Sequence, residues 1–304
     1  MLYEFKNGKI RTKSIEYSVS YHCNLKCSGC SHLSPFASRK FPSLDSFSKD
    51  INRLSQVMHA DVIRLLGGEP LLNPDINRFI KIAKLSGIAD HIMVTTNGCL
   101  LHKMDHPFWE NIDYLLVTWY PSSWIKENII SLKKRAKEFN TRLWFSMQSD
   151  FRTTIVTKPH PNDWVTGIIH KTCEDAHLYH CHMLHEGKLY KCAVPPFLPE
   201  YLSKIGGYSY EPALDAFDLH SSKNLYQNLI EFFTSTKAMQ ACCFCLGYLG
   251  KRQKHHQLSA GLVENPRLLN INRTKHLDRF KFVKECVQYY RRRIIEKLSD
   301  KHLW

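Results

Sequence analysis

The chain has 304 residues, of which 43% are hydrophobic, and a formal net charge of +14. This length allows one large domain with a full core and a smaller module. No stretch reaches the about eighteen apolar residues of a membrane-spanning helix, and residues 1–11 lack the apolar segment of a signal peptide. We therefore expect a cytoplasmic protein, in which eleven cysteines favour metal ligation over disulfides.

The first predicted strand, residues 15–19, leads directly into Cys23, Cys27 and Cys30. A Cys-x3-Cys-x2-Cys spacing offers three thiolates, and thiolates are the ligands that iron–sulfur clusters require. A closed cluster site takes four cysteine ligands, so this motif would leave one iron without a protein ligand. The uncoordinated iron would then be open to a second molecule. The alternative is a zinc site, although its cysteines normally come as Cys-x2-Cys pairs.

Strand-like and helix-like segments alternate through the first half of the chain, which predicts a parallel sheet with helical crossovers. Asn73 before Pro74 is a typical helix start. A sixth strand near Ile155 gives only a weak signal. The predicted strands are residues 15–19, 62–66, 91–96, 114–120 and 143–147, and the predicted helices lie within residues 44–58, 73–83 and 129–136.

Polar and glycine-rich residues lie at or just after the carboxyl ends of three of these strands. Paired glycines permit positive φ values and close backbone approach. Because the carboxyl ends of parallel strands meet at one edge of a sheet, we expect these segments to lie together. They comprise Gly67, Gly68, Glu69 and Pro70, then Thr95 and Asn97, and then Thr118.

A second set of cysteines begins at Cys173. Cys181 and Cys192 flank Gly187 within a hairpin-like pattern over residues 182–193, and a Cys-Cys-Phe-Cys run occupies residues 242–245. Four thiolates close an iron–sulfur or zinc site, and six are available here. A zinc knuckle is therefore the alternative to a second cluster.

The cysteine triplet and the Gly-Gly-Glu-Pro turn together resemble the radical S-adenosylmethionine (SAM) superfamily. The resemblance implies an α/β fold, a partial (β/α)6 TIM-type barrel over roughly residues 12–165. It implies that Cys23, Cys27 and Cys30 hold a [4Fe-4S] cluster that binds SAM. Contacts to SAM would come from Gly67, Gly68, Glu69, Pro70, Thr95, Asn97 and Thr118.

One position departs from the family pattern. The residue before the third cysteine is usually aromatic and contacts adenine, whereas this chain has Gly29. We expect His32 or Phe36 to supply that contact.

The second cysteine set resembles the twitch variant of SPASM domains, a hairpin and helix that hold an auxiliary [4Fe-4S] cluster. The resemblance implies Cys192, Cys242 and Cys245 as ligands, with Cys173 preferred to Cys181 as the fourth. Cys243 and Cys181 then remain as candidate hydrogen-atom donors. The predicted domains are residues 1–168 (barrel), 169–257 (auxiliary domain) and 258–304 (basic helical extension).

The whole pattern resembles the aminoglycoside-pathway dehydrogenase and epimerase within this superfamily. It implies hydrogen-atom abstraction from a hydroxyl-bearing carbon of a carbohydrate-like substrate, giving epimerisation or dehydrogenation. The positive net charge would suit a substrate that is phosphorylated or nucleotide-linked. A flavodoxin or ferredoxin would supply electrons. A peptide-modifying maturase is the alternative. Against it, we find no N-terminal extension that could bind a leader peptide, because only about fourteen residues precede the first strand. A zinc- or cluster-bearing binding protein would leave the glycine turn unexplained.

The excess positive charge is concentrated in residues 251–304. Such a surplus attracts anions, but we find no nucleic-acid-binding module and expect no nucleic-acid partner. His255, His256 and Gln257 are either donors to hydroxyl or phosphate oxygens or part of an exposed basic loop. The terminal helix, near residues 282–298, is expected to pack on the barrel rather than rest on an anionic membrane.

Overall fold

The computed structural model describes residues 3–6, 8–121, 123, 125 and 128–299. Its strands are β1 Glu4–Lys6, β2 Lys9–Ser20, β3 Met58–Gly67, β4 Ala89–Thr96, β5 Tyr114–Trp119, β6 Arg142–Met147, β7 Asp150–Arg152, β8 His182–His185, β9 Lys188–Tyr190, β10 Ala216–Asp218 and β11 Arg252–Lys254.

The helices are α1 Leu44–Ser55, α2 Ile76–Ser86, α3 His106–Asn111, α4 Ile129–Glu138, α5 Trp164–Lys171, α6 Glu174–His177, α7 Val194–Ile205, α8 Leu225–Thr234, α9 Ala260–Glu264, α10 Arg273–His276 and α11 Arg279–Ser299. Short 3-10 helices include Pro70–Leu72 and Gln240–Phe244. Within the described residues, no helix combines the length and the apolar character needed to cross a membrane.

The main sheet has the order β10-β9-β8-β2-β3-β4-β5-β6, and β1 pairs with β2. Strands β2 to β6 are parallel neighbours in chain order, which confirms the predicted parallel sheet of a partial barrel. The sixth parallel strand is β8, which pairs with β2 at the other side of the sheet. Ile155 instead forms an isolated antiparallel bridge with Cys245.

Local sequence signals set the first helices. The Ser43 side chain accepts a hydrogen bond from Ser46 N and begins α1, whose buried residues face the sheet. The predicted start of the next helix at Asn73 was wrong, because α2 begins at Ile76. Asn73 donates its side-chain amide to Val19 O at 2.6 Å, so it joins the turn after β3 to β2.

The two faces of the barrel strands differ in chemistry. Ile15 and Ile63 belong to the apolar core shared with α1 and α2. The opposite face of the same strands carries Glu16 and Arg64, which form an ion pair at 3.3 Å. A polar inner face is thus enclosed by an apolar outer layer, as expected for a barrel that encloses a site.

The predicted hairpin over residues 182–193 is formed by β8 and β9, and it extends the barrel sheet. Asp50 of α1 is buried, and its carboxylate accepts hydrogen bonds from Gly187 N at 2.7 Å and from His220 Nε2 at 2.7 Å. The predicted boundary between residues 168 and 169 falls inside α5. The hairpin is therefore continuous with the barrel.

Helix α11 packs one face on the chain. Phe282, Cys286 and Tyr289 contact a small core around Ile168 and Leu249. Phe280 on the opposite side is 84% exposed, and Val283 and Val287 are also exposed.

We predict that Asp50→Ala lowers the free energy of unfolding by about 3 kcal/mol, because Gly187 N and His220 would both lose a buried charged acceptor. Urea unfolding followed by circular dichroism measures the change. Asp45→Ala, at an exposed position in the first turn of the same helix, is the matched control and should cost less than about 0.5 kcal/mol. Equal losses in the two variants would contradict the proposed role of Asp50.

Candidate functional site

The carboxyl ends of β2 to β6 border a cavity of about 260 Å³. Three thiols, the glycine turn and several neutral polar side chains share its wall. The described lining residues are Cys23, Leu25, Cys27, Cys30, Ser31, His32, Ser34, Pro35, Leu66, Gly67, Gly68, Thr95, Thr96, Asn97, Thr118, Tyr120, Gln148 and Phe151. The cysteine triplet and the polar strand ends predicted from sequence therefore meet at one place.

The glycine turn lies directly against the base of the cysteine loop. Gly68 N donates to Ser20 O at 2.7 Å, and Glu69 N donates to His22 O at 3.0 Å. A Cβ atom on Gly68 would stand 2.0 Å from His22 O, and one on Gly67 would stand 2.1 Å from Ser20 O. Gly67 also has a φ of +139°. The paired glycines are thus required for two backbone segments to touch.

Glu69 joins this turn to the end of β4 from a fully buried position. Its carboxylate accepts hydrogen bonds from Thr96 Oγ1 at 2.6 Å, Asn97 N at 2.8 Å and Leu71 N at 3.1 Å. Burial raises the pKa of Glu69 to about 7, and these three donors act against that rise. Glu69 therefore holds the ends of two strands in register.

Two of the three thiols of the cysteine loop, Cys23 and Cys27, already receive N–H donors. Cys23 Sγ accepts from Leu25 N at 3.3 Å and from the Asn97 amide at 3.6 Å. Burial, together with the neighbouring Cys30, raises the pKa of Cys27 to about 12. Without a metal the Cys27 thiol stays protonated, and a bound metal would have to displace its proton. Three thiols around one cavity fit a [4Fe-4S] cluster with an open iron.

An aromatic wall faces the thiols, and sequence reasoning missed it. The rings of Tyr120 and Phe151 stack at a centroid distance of 5.6 Å, and both residues line the cavity. A Cβ atom on Gly29 would lie 3.3 Å from Phe151 Cβ. The small residue before the third cysteine therefore leaves room for Phe151. Aromatic residues just beyond β5 and within β7 were the available signal.

Of the two residues expected to contact adenine, only His32 lines the cavity. Its Nε2 and the Ser34 Oγ are buried atoms without a hydrogen-bond partner among the described residues. Burial lowers the pKa of His32, so the ring is neutral at pH 7. Phe36 instead packs on Tyr201, with ring centroids 5.0 Å apart, in the neighbouring core.

Residues 252–258, here called the strap, run along the cysteine loop. Ser28 N donates to His256 O at 2.9 Å, and Leu258 N donates to Lys26 O at 2.8 Å. Between these bonds the Gln257 amide donates to Cys27 Sγ at 3.5 Å. From the sequence, this segment was predicted either to donate hydrogen bonds to a ligand or to form an exposed basic loop. The structure shows a third role, because Gln257 contacts the thiol of Cys27.

The second cysteine set forms a separate small cavity. It is lined by four thiols, by His170 and by apolar side chains including Ile169, Val194 and Met239; the thiols are Cys173, Cys192, Cys242 and Cys245. Gly247 N donates to Cys245 Sγ at 3.2 Å, and burial raises the pKa of that thiol to about 11. Four thiols around one cavity match the ligand number of a closed [4Fe-4S] cluster.

The remaining two thiols of this set lie elsewhere. Cys181 Sγ is 3.7 Å from Arg64 Nη1 and immediately precedes β8, whose His182 pairs with Ile15. Ile15 lies five residues before the end of β2, a distance of about 16 Å along the strand. Cys243 accepts a backbone hydrogen bond from His160 N at 2.8 Å. The described lining of the 260 Å³ cavity includes neither thiol.

Two further cysteines, Cys99 and Cys286, lie outside both cysteine sets. Cys99 N donates to the Asn97 side chain at 3.0 Å in the loop after β4, and Cys286 packs within α11. In the part of the chain that the structure describes, no three histidine, cysteine or carboxylate side chains converge closely enough to hold a single metal ion.

Residues 17–117 match the model of the radical SAM superfamily. The GTP 3′,8-cyclase of Chlorobaculum tepidum is 38% identical over 91 residues, covering 29% of this chain and 27% of that enzyme. The GTP 3′,8-cyclase of Clostridium acetobutylicum is 34% identical over 107 residues, covering 30% of this chain and 30% of that enzyme. The matches thus span less than a third of the length of these curated relatives.

Among solved structures, BtrN in complex with AdoMet and 2-DOIA has a TM-score of 0.44 at 15% identity, covering 78% of this chain and 94% of that chain. Native anSMEcpe with bound AdoMet and peptide has a TM-score of 0.41 at 11% identity, covering 95% of this chain and 99% of that chain.

We predict that Glu69→Gln removes part of the pH dependence of stability. The pKa of Glu69 is raised from 4.5 to about 7 on folding, so its protonation stabilises the folded state. That stabilisation is complete below about pH 4.5 and lost as pH rises through about 7, by about 3 kcal/mol in total. Urea unfolding of wild type and variant between pH 4 and pH 8 measures the difference. Parallel pH profiles would show that Glu69 does not titrate in this range.

Proposed function

Because residues 17–117 make this chain a member of the radical SAM superfamily, we propose that it dehydrogenates a hydroxyl-bearing carbon of a carbohydrate-like substrate. The supporting observation is the single cavity that brings the three thiols, the glycine turn, neutral hydrogen-bonding groups and an aromatic wall together. A reduced [4Fe-4S] cluster with SAM, when bound, supplies a 5′-deoxyadenosyl radical that removes hydrogen from an unactivated carbon.

Each part of the cavity wall has a role in this proposal. Cys23, Cys27 and Cys30 hold the cluster. The glycine turn, Gly67 to Pro70, receives the SAM ammonium group, and Glu69 keeps that turn in place from behind. Thr95, Asn97 and Thr118 offer hydrogen bonds to the SAM carboxylate or ribose. Tyr120 and Phe151 present ring faces to the adenine, in place of the aromatic residue that Gly29 replaces.

The neutral polar wall supports a polyhydroxylated substrate. Ser31, His32, Ser34 and Gln148 line the cavity with hydroxyl, imidazole and amide groups. A buried polar atom without a partner is costly, so His32 Nε2 and Ser34 Oγ favour a ligand that brings hydroxyl groups to them. The described lining contains no lysine or arginine, so any phosphate or nucleotide carried by the substrate would lie outside this cavity.

For the second cysteine site we propose an auxiliary [4Fe-4S] cluster held by Cys173, Cys192, Cys242 and Cys245. Cys181 is not a substitute for Cys173 in this proposal, because it lies beside Arg64 inside the barrel. A single zinc ion is the alternative occupant, and metal analysis distinguishes the two. We propose residues 169–257 as an auxiliary module that is not separate from the barrel of residues 1–168, because β8 of this range pairs with β2 in the barrel sheet. Residues 258–304 are proposed as the helical extension.

Dehydrogenation is better supported than epimerisation. Inversion of a carbon centre needs a thiol that returns a hydrogen atom inside the cavity. Cys181 lies about 16 Å along β2 from the cavity end, and Cys243 lies beside His160. Oxidation instead requires the substrate to lose a hydrogen atom, a hydroxyl proton and one electron, and the second cysteine site would receive that electron. A flavodoxin or ferredoxin would supply the electron that starts the reaction.

We predict that anaerobically reconstituted protein binds about eight irons and eight sulfides per chain, from two four-iron clusters. Replacing Cys23, Cys27 and Cys30 together with alanine should reduce iron to about four per chain and abolish SAM cleavage. Cys286→Ala, at a packed position in α11, is the control and should keep all eight. Elemental analysis and 5′-deoxyadenosine measurement report the two effects.

Two results would contradict this assignment. About four irons with one tightly bound zinc in the wild type would replace the auxiliary cluster by a zinc site. If the triple variant still released 5′-deoxyadenosine at the wild-type rate, the cysteine loop would not be the site of SAM cleavage.

We predict that Cys181→Ala and Cys243→Ala both keep at least about half of the wild-type turnover, because neither thiol is needed for dehydrogenation. Reduced enzyme is incubated with SAM in D2O and with panels of aminocyclitols, sugars, nucleotide sugars and peptides. NMR and mass spectrometry should then show a product lacking two hydrogens.

A product inverted at one carbon and carrying solvent deuterium, lost in either alanine variant, would establish an epimerase. Turnover of peptides alone would establish the maturase alternative.

A further inference from the structure

We propose that Gln257 is a positioning residue that raises the reduction potential of the metal centre at the cysteine loop. It does so by donating an amide hydrogen bond to Cys27 Sγ. This inference rests on the proposed function, because it concerns the cluster assigned to Cys23, Cys27 and Cys30. The strap, more than two hundred residues from Cys27 in the chain, would thereby influence the reduction potential of this metal centre.

The geometry fixes which end of the Gln257 amide faces the sulfur. Its Oε1 accepts a hydrogen bond from Lys26 N, and its Nε2 lies 3.5 Å from Cys27 Sγ. The opposite orientation would point the NH2 group at the Lys26 N–H, donor against donor. The amide nitrogen must therefore be directed at the thiol.

The backbone holds Gln257 in this position from both sides. Ser28 N donates to His256 O at 2.9 Å, and Leu258 N donates to Lys26 O at 2.8 Å. These bonds make a short antiparallel bridge in which Cys27 and Gln257 are partners. The strap is in turn anchored through β11, where Gln253 pairs with Phe151 of β7.

Burial of the sulfur strengthens the electrostatic effect of this hydrogen bond. Cys27 is buried, with 7% of its surface exposed, so solvent screens the sulfur weakly. Reduction of a cluster adds negative charge that is shared with its cysteine sulfurs. An N–H donor stabilises the more negative, reduced form and so raises the potential. Loss of the donor would make the cluster harder to reduce.

The strap contains its own matched control. Gln253 is also a glutamine that reaches the cysteine loop, but its Nε2 donates to Ser28 Oγ at 3.3 Å rather than to a sulfur. A purely structural effect of the strap would be seen in both positions. An effect on the potential through the sulfur would be seen at Gln257 alone.

The test compares Gln257→Leu, Gln257→Glu and Gln253→Leu in full-length, anaerobically reconstituted protein. A redox titration is followed by EPR, and the signal of the cysteine-loop cluster is identified by its change on adding SAM. At the wild-type midpoint potential, the ratio of reduced to oxidised cluster should fall about fivefold in Gln257→Leu. Gln257→Glu keeps an oxygen that accepts from Lys26 N but loses the N–H donor to Cys27. In this variant the ratio of reduced to oxidised cluster should fall at least as far.

Gln253→Leu should keep the wild-type midpoint. An unchanged midpoint in both Gln257 variants with full iron content, or an equal shift in Gln253→Leu, overturns the proposal. If wild-type protein shows no SAM-sensitive cluster, the proposed function fails, and the two failures are thereby distinguished.

Discussion

Two main-chain hydrogen bonds, from Gly68 N to Ser20 O and from Glu69 N to His22 O, join the ends of β2 and β3 at the base of the cysteine loop. They form only because Gly67 and Gly68 have no Cβ atom to separate the two segments. The position of Cys23 relative to the glycine turn follows from this contact. The thiols and the groups proposed to hold SAM therefore share one rigid support.

Glu69 extends this support to the next strand. Its three hydrogen bonds join the glycine turn to Thr96 and Asn97, and the Asn97 amide in turn reaches Cys23 Sγ at 3.6 Å. A buried carboxylate is costly to desolvate, and the three donors offset part of that cost. One acidic side chain thus orders the ends of β3 and β4 and, through Asn97, the cysteine loop.

The second half of the chain completes the site by long-range pairing. The hairpin of β8 and β9 joins the sheet beside β2 and is held to α1 by Asp50. The strap returns to the cysteine loop and places Gln257 on Cys27. Through β11 and β7 the same segment fixes Phe151 in the aromatic wall. The residues after the second cysteine set therefore belong to the structure around the first.

The sequence alone determined the features that depend on local spacing. The spacing of apolar residues and the helix-start residues predicted the alternating strands and helices of the parallel sheet. The position of the motifs at the carboxyl ends of parallel strands predicted that the cysteine triplet, Gly67 to Pro70 and Asn97 would meet. Strand bounds differed by a few residues, and the helix start at Asn73 was wrong because its amide bonds to Val19 O rather than capping a helix.

Tertiary structure decided what depends on contacts between distant segments. It brought Cys173 rather than Cys181 to the other three thiols of the second site, made β8 the sixth parallel strand, and laid the strap on Cys27. The pairing of β8 with β2 and the contact of the strap with Cys27 join residues more than a hundred positions apart, and Cys173 lies about seventy positions from Cys242 and Cys245. No local periodicity encodes which segment will be the partner. The sequence therefore specified the cysteine motifs and the order of elements, whereas packing selected the neighbours that surround them.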